Sequence, residues 1–124
     1  MLLDTSVIID HLRGDPRAVR LLRESVAAGH ELWSLTVVRT EVLAGMRRGE
    51  ERVTFALLNA LRWQEVSVDV ADRAGELARR YLKSFPGVDT VDYLLAACAI
   101  SLDASLVTTN LKHFPMFADL AAPY

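Results

Sequence analysis

The chain has 124 residues, 52% of them hydrophobic, and a formal net charge of −2, so residues 1–124 read as one domain with one core. No apolar stretch approaches the roughly 20 residues of a membrane span, no signal peptide is expected at the start, and the one cysteine, Cys98, excludes an internal disulfide; together these predict a soluble cytoplasmic protein. The charge excludes a broadly basic nucleic-acid-binding surface but not a local one.

Leu2–Asp4 reads as a short strand that runs without a turn into a helix near Ser6–Leu12. Gly14-Asp15-Pro16 marks a break and restart, with Asp15 as N-cap and Pro16 at the first helical position. Val19, Leu22 and Val26 then follow helical spacing until about Gly29, and Glu31–Ser34 reads as a second strand. Thr36 can cap a helix reaching Arg47 or Arg48, and Glu50–Arg62 reads as another. Gln64–Val68, with alternating Val66 and Val68, is a third extended segment, and Asp69 can cap the helix that stops before Phe85-Pro86-Gly87. A helix from about Val91 to Leu102 leads to the strand Leu106–Thr108, and turns with one edge strand follow from Asn110. Short apolar runs alternating with helices are the pattern of an α/β protein with a parallel sheet. Cys98, among alanines, reads as a small buried packing residue. Trp33 and Trp63 read as core more readily than as a partner groove.

Asp4 ends the first strand and is followed by two hydroxyls, Thr5 and Ser6. Ligands of open α/β sheets bind beyond the carboxyl ends of the strands, so Asp4 is a candidate metal ligand. The same three residues are also good helix caps, and the hexapeptide alone does not separate the roles. Glu41 shares a helical stripe with Val37, Val38 and Val42. Burying it against the sheet is expensive without a cation or donors; the other reading places it at the edge of the stripe, in water. Asp92 opens the nearly wholly apolar run Tyr93–Ile100, where the helix dipole favours negative charge. Asp89 and Thr90 already offer caps upstream, which leaves Asp92 surplus to capping, and Asp89 itself reads as a cap or a supporting residue. Thr108-Thr109-Asn110 repeats the Asp4 arrangement, an apolar strand ending in oxygen-bearing side chains.

Two strand ends and two helix starts can therefore converge at one edge of the sheet. Asp4, Glu41 and Asp92, with neutral oxygens from Asn110, Thr5 or Ser6, form a hard-oxygen set suited to Mg²⁺ or Mn²⁺. Zinc is disfavoured, since His11, His30 and His113 are scattered. Three like charges in one pocket require a divalent ion. The arginines fall in groups that ordinarily mark solvated helix faces. For a polyanionic substrate, Arg13, Arg39 and Arg47 are the expected phosphate contacts.

Four segments in register resemble the PIN-domain ribonucleases, and within them the VapC toxins of bacterial toxin–antitoxin pairs. They are Leu3-Asp4-Thr5-Ser6, Thr40-Glu41-Val42-Leu43-Ala44-Gly45, the segment VDYLLAACA around Asp92, and Leu106-Val107-Thr108-Thr109-Asn110-Leu111-Lys112-His113-Phe114. The resemblance spans essentially the whole chain, although each motif alone is weak. It implies a three-layer PIN-like α/β fold, with a short, mostly parallel central sheet flanked by helices and an acidic pocket that binds Mg²⁺ or Mn²⁺. By position, Asp4 and Asp92 are the implied metal ligands, and Glu41 completes the site directly or through water. Asn110 stands in the segment where the family often has a fourth acid, and His113 where an Asp is sometimes found. Thr5 or Ser6 would orient a ligand or the attacking water, with Asp89 and Thr108 in support.

The implied reaction is internal cleavage of RNA, for instance in tRNA or ribosomal RNA loops, by a metal-activated water attacking in line. The implied partners are a small antitoxin whose C-terminal segment covers the pocket, and a second copy of the chain in a homodimer within a toxin–antitoxin hetero-oligomer. The alternatives are a PIN-fold interaction module without catalysis and, less compatibly, an aspartate-nucleophile phosphatase. The latter usually has a second acid two residues after the first, where Ser6 stands, and a site lysine; the only lysines are Lys83 and Lys112.

Overall fold

A computed structural model describes residues Met1–Tyr124. Four short strands, β1 (Leu2–Leu3), β2 (Trp33–Leu35), β3 (Arg62–Gln64) and β4 (Leu106–Val107), form one sheet in the order β3-β2-β1-β4. Every pairing is parallel, with Leu2 beside both Trp33 and Leu106, and Ser34 beside Trp63. Parallel neighbours need long crossovers, usually helical. Here they are α1 (Thr5–Leu12), α2 (Pro16–Ala27), α3 (Thr36–Ala44), α4 (Glu51–Ala60), α5 (Val68–Tyr81) and α6 (Thr90–Leu102). The expected α/β class with a parallel sheet is therefore the one that forms.

Strands covered on both faces read as continuous apolar runs, and Leu2, Leu3 and Leu35 are fully buried. Val7 and Ile8 of α1, Val38 of α3, Leu58 of α4 and Leu95 of α6 join them in one core. Successive positions of α6 from Leu95 to Ala99 are buried, Cys98 among them, and their small side chains let α5 pack closely alongside. Trp33 and Trp63 pack at the core's edge, half-buried. No helix is long and apolar enough to cross a membrane.

Several boundaries depart from the sequence expectation. The third strand is Arg62–Gln64, because Trp63 is pinned by its indole N–H on Leu58 O at 2.7 Å and pairs with Ser34. Val66 and Val68 therefore lie outside the sheet, and Val68 is largely exposed. Ser67, not Asp69, caps α5, its hydroxyl accepting the Val70 N–H at 3.1 Å. Helix α3 starts without a side-chain cap on Leu35, since β2 feeds straight into it, and stops at Ala44. After Asn110 there is no edge strand but a single 3₁₀ turn, Leu111–His113, anchored by the buried Phe114.

What positions the site is the central strand. The Leu3 carbonyl accepts the buried Ser34 hydroxyl at 2.6 Å, and the Asp4 N–H reaches Val107 O at 3.0 Å. Both neighbours thus hold the carboxyl end of β1 in register. Leu3→Ala, which empties a fully buried position of that strand, should cost about 2–5 kcal/mol. Urea unfolding should show a lowered midpoint at unchanged slope; a loss below about 1 kcal/mol would contradict the central placement.

Candidate active site

Asp4 leaves β1 and becomes the N-cap of α1, its Oδ1 accepting the Thr5 N–H at 2.7 Å. Its Oδ2 accepts two hydroxyls, Thr108 Oγ1 at 2.6 Å and Ser6 Oγ at 3.0 Å. Capping and site placement, alternatives in the sequence, coincide in one side chain that is only 4% exposed. Ser6 Oγ also accepts the Thr109 N–H at 3.1 Å, and Thr108 Oγ1 accepts the Asn110 N–H at 3.0 Å. These bonds close the end of β4 over the start of α1.

Glu41 is exposed, so the reading at the edge of the stripe is the correct one. Val38 and Val42 face the core, and Glu41 stands beside them at the rim. It is not loose, because Thr5 Oγ1 donates to its Oε1 at 2.6 Å.

Asp92 is 6% exposed. Contrary to expectation it is not surplus to capping: it is the third residue of a capping box at the start of α6. Its Oδ2 accepts the Asp89 N–H at 3.0 Å, and the Asp89 side chain accepts the Asp92 N–H at 3.0 Å. His113 Nδ1 lies 3.1 Å from the same Oδ2. Burial, with the negative charges of Asp89 and Asp4, outweighs the Asp89 N–H and His113, and pushes the Asp92 carboxyl up to about 6.

All four acids Asp4, Glu41, Asp89 and Asp92 line one cavity of about 400 Å³, with Thr5, Ser6, Asn110 and His113. Thr108 lies beneath it, fully buried. A larger cavity, about 630 Å³ between α2 and α4, is mostly apolar and holds none of these acids, so charge and not size distinguishes the site. Two further lining residues, Asp10 and Arg13, were not grouped with the acids in the sequence. They lie one turn and two turns beyond Ser6, Asp10 on α1 and Arg13 as its C-cap, and that i, i+4, i+7 spacing was the available signal. Asp10 Oδ2 accepts the Tyr124 hydroxyl at 2.7 Å.

The three arginines separate. Arg13 reaches the acidic cavity, and Arg47 lines the cleft next to it. Arg39 lies elsewhere, its guanidinium 5.3 Å from the Trp63 ring centre and 5.8 Å from that of Phe55. It also donates to Leu58 O and Asn59 Oδ1. Arg39 therefore ties α3 to α4.

As the side chains stand, no three His, Cys, Asp or Glu residues are close enough together to enclose a metal ion. The donor chemistry nevertheless fits a hard divalent cation. The set is carboxylate and hydroxyl oxygen, burial and the neighbouring acids make the Asp92 charge costly without a cation, and neither Asp92 Oδ1 nor Glu41 Oε2 is engaged by a protein donor. Such an ion would complete its shell with water.

A model described as "PIN domain" matches residues 1–120. Ribonuclease VapC19 of Mycobacterium tuberculosis is 50% identical over 123 residues, covering 99% of this chain and 98% of that protein. Ribonuclease VapC10 of the same organism is 39% identical over 125 residues, covering 100% and 92%. Among solved structures, a toxin–antitoxin complex from Klebsiella pneumoniae superposes with a TM-score of 0.79 at 24% identity, covering 99% of this chain and 97% of that one. VapBC2 from Rickettsia felis, bound to a DNA fragment from its promoter, gives 0.76 at 24% identity, covering 98% and 95%. At that identity the two structures support the fold alone.

The raised Asp92 carboxyl has a consequence for the metal-free protein. The folded state holds the proton more tightly than the unfolded chain, so this group's contribution to stability is complete below the ordinary carboxyl value of 3.8 and is lost as pH rises through about 6. Asp92→Asn, which keeps an acceptor for the Asp89 N–H, should melt higher than the wild type above pH 6 in EDTA. The gap should narrow towards pH 4. Thermal melts across that range check it, and a variant that melts lower at neutral pH would contradict the account.

Proposed function

From a chain that belongs to the PIN-domain family, and within it to the VapC ribonucleases, we propose a Mg²⁺- or Mn²⁺-dependent endoribonuclease that serves as the toxin of a toxin–antitoxin pair. The observation that carries this reading is the convergence of Asp4, Glu41 and Asp92, from β1, α3 and α6, on one cavity. Full-length similarity to two proteins named as ribonucleases supports it.

Asp4 and Asp92 would hold the ion, with Glu41 and Asn110 at its margin. When bound, it supplies Lewis-acid polarisation of the phosphodiester and offsets the charge of the pocket. The remaining work falls to the chain. Thr108 and Ser6 fix the plane of the Asp4 carboxylate, while the Asp89 N–H and His113 fix that of Asp92. Glu41, anchored on Thr5 through one oxygen, keeps the other free to position a water or take its proton. Asn110 offers a neutral amide to the scissile phosphate, while Thr5 acts through Glu41, to which its hydroxyl donates. Proteins read RNA bases mainly where they are unpaired, so the substrate is a single-stranded segment such as a tRNA or ribosomal RNA loop. The partners of this reading are a small cognate antitoxin that covers the pocket and a second copy of the chain.

Purified protein incubated with total RNA should release discrete fragments. EDTA should stop the release, and Mg²⁺ or Mn²⁺ should restore it; cleavage indifferent to chelation would sink the metal requirement. Asp4→Asn and Asp92→Asn should each lower the rate by about a hundredfold or more while circular dichroism stays unchanged. Thr108→Val, which removes the strongest hydroxyl donor to Asp4, should cost about 10–100-fold, measured as the metal concentration for half-maximal rate. Full activity in Asp4→Asn would refute the assigned pocket.

A further inference from the structure

Beside the acidic cavity a second, narrow cleft of about 90 Å³ runs between the end of α1 and the turn that joins α3 to α4. The two share Ile9 and Arg13. Arg13 is exposed and stands at the junction, yet it forms no salt bridge with the carboxylates of the cavity. Arg47 lines the far part of the cleft, likewise exposed and without an ion-pair partner. The one acid in the lining is Glu50, and its Oε1 accepts the Arg47 backbone N–H at 2.7 Å. Apolar Leu12, Val42 and Met46 complete the walls. Thr54, only 4% exposed, brings a hydroxyl to the same lining.

An arginine with no ion-pair partner keeps its planar fork of donors free for a phosphate. We propose that the RNA strand flanking the cleaved bond passes over the mouth of this cleft, with Arg13 and Arg47, exposed at its rim, contacting its phosphates. The inference rests on the ribonuclease reading and adds the strand's path out of the active site. It also sorts the arginines that the sequence left equivalent. Arg13 and Arg47 position substrate, whereas Arg39 is consumed in packing.

The test follows cleavage of total RNA at the site that the wild-type protein cuts, over a series of NaCl concentrations, with fold checked by circular dichroism. Arg13→Ala should lower kcat/KM about tenfold, mainly through KM, and Arg47→Ala several-fold. Each loss should flatten the plot of log kcat/KM against log salt by about 0.7, the increment for one phosphate contact on a single strand. Arg13→Lys should recover most of the activity but not the wild-type value. Arg48→Ala, exposed beside Arg47 but outside the cleft, should match the wild type. Wild-type activity with Arg13→Ala within twofold, or a loss confined to kcat with an unchanged salt slope, would overturn the cleft alone. A wild-type protein that cleaves no RNA with Mg²⁺ or Mn²⁺ would overturn the ribonuclease reading and the cleft with it.

Discussion

Two carboxylates, Asp4 and Asp92, are kept almost wholly out of water beyond the carboxyl end of the central strand of a four-stranded sheet. Withdrawing charge from solvent is costly unless donors meet it, and the two are met unequally. Asp4 receives a backbone N–H and two hydroxyls. Asp92 receives one backbone N–H and a half-exposed histidine, and its carboxyl is pushed up. The pocket therefore holds negative charge that the protein does not balance. Local rules are broken at functional sites while the surrounding scaffold compensates; here the compensation is the apolar core that covers both faces of β1.

The same bonds that orient Asp4 also close the fold. Ser6 and Thr108, more than a hundred residues apart in sequence, both converge on Asp4 Oδ2. Through Ser6 the start of α1 meets the Thr109 N–H after β4. Because β1 and β4 are very short, these polar contacts extend the register that the strand ladder itself provides only briefly. Stability at the sheet edge and geometry in the pocket are thus properties of one network, so a change to Thr108 is felt by both.

Electrostatics is arranged at a scale that the overall charge of −2 hides. Acids gather in one cavity, and an exposed Arg13 stands where it opens into the next cleft. Arg39 shows why arginine clustering alone says little. Its guanidinium lies over two aromatic rings and bonds to α4, a packing role that its sequence neighbours do not announce.

The α/β class, the parallel sheet and the order of helices and strands were legible in the chain, because period-3.6 stripes and short apolar runs are local signals of burial. Asp4 and Asp92 were legible for the same reason, as charges where the pattern calls for apolar residues. Strand and helix ends were read less well around residues 64–69, where a Ser67 cap and the Trp63 anchor override the alternation of valines. Only the tertiary structure decided that Glu41 stays in water yet turns to the pocket through Thr5, and that Asp92 lines the same cavity as Asp4. Each of these outcomes depends on contacts between segments distant in sequence, and a local pattern records which side of an element is buried without recording what it is buried against.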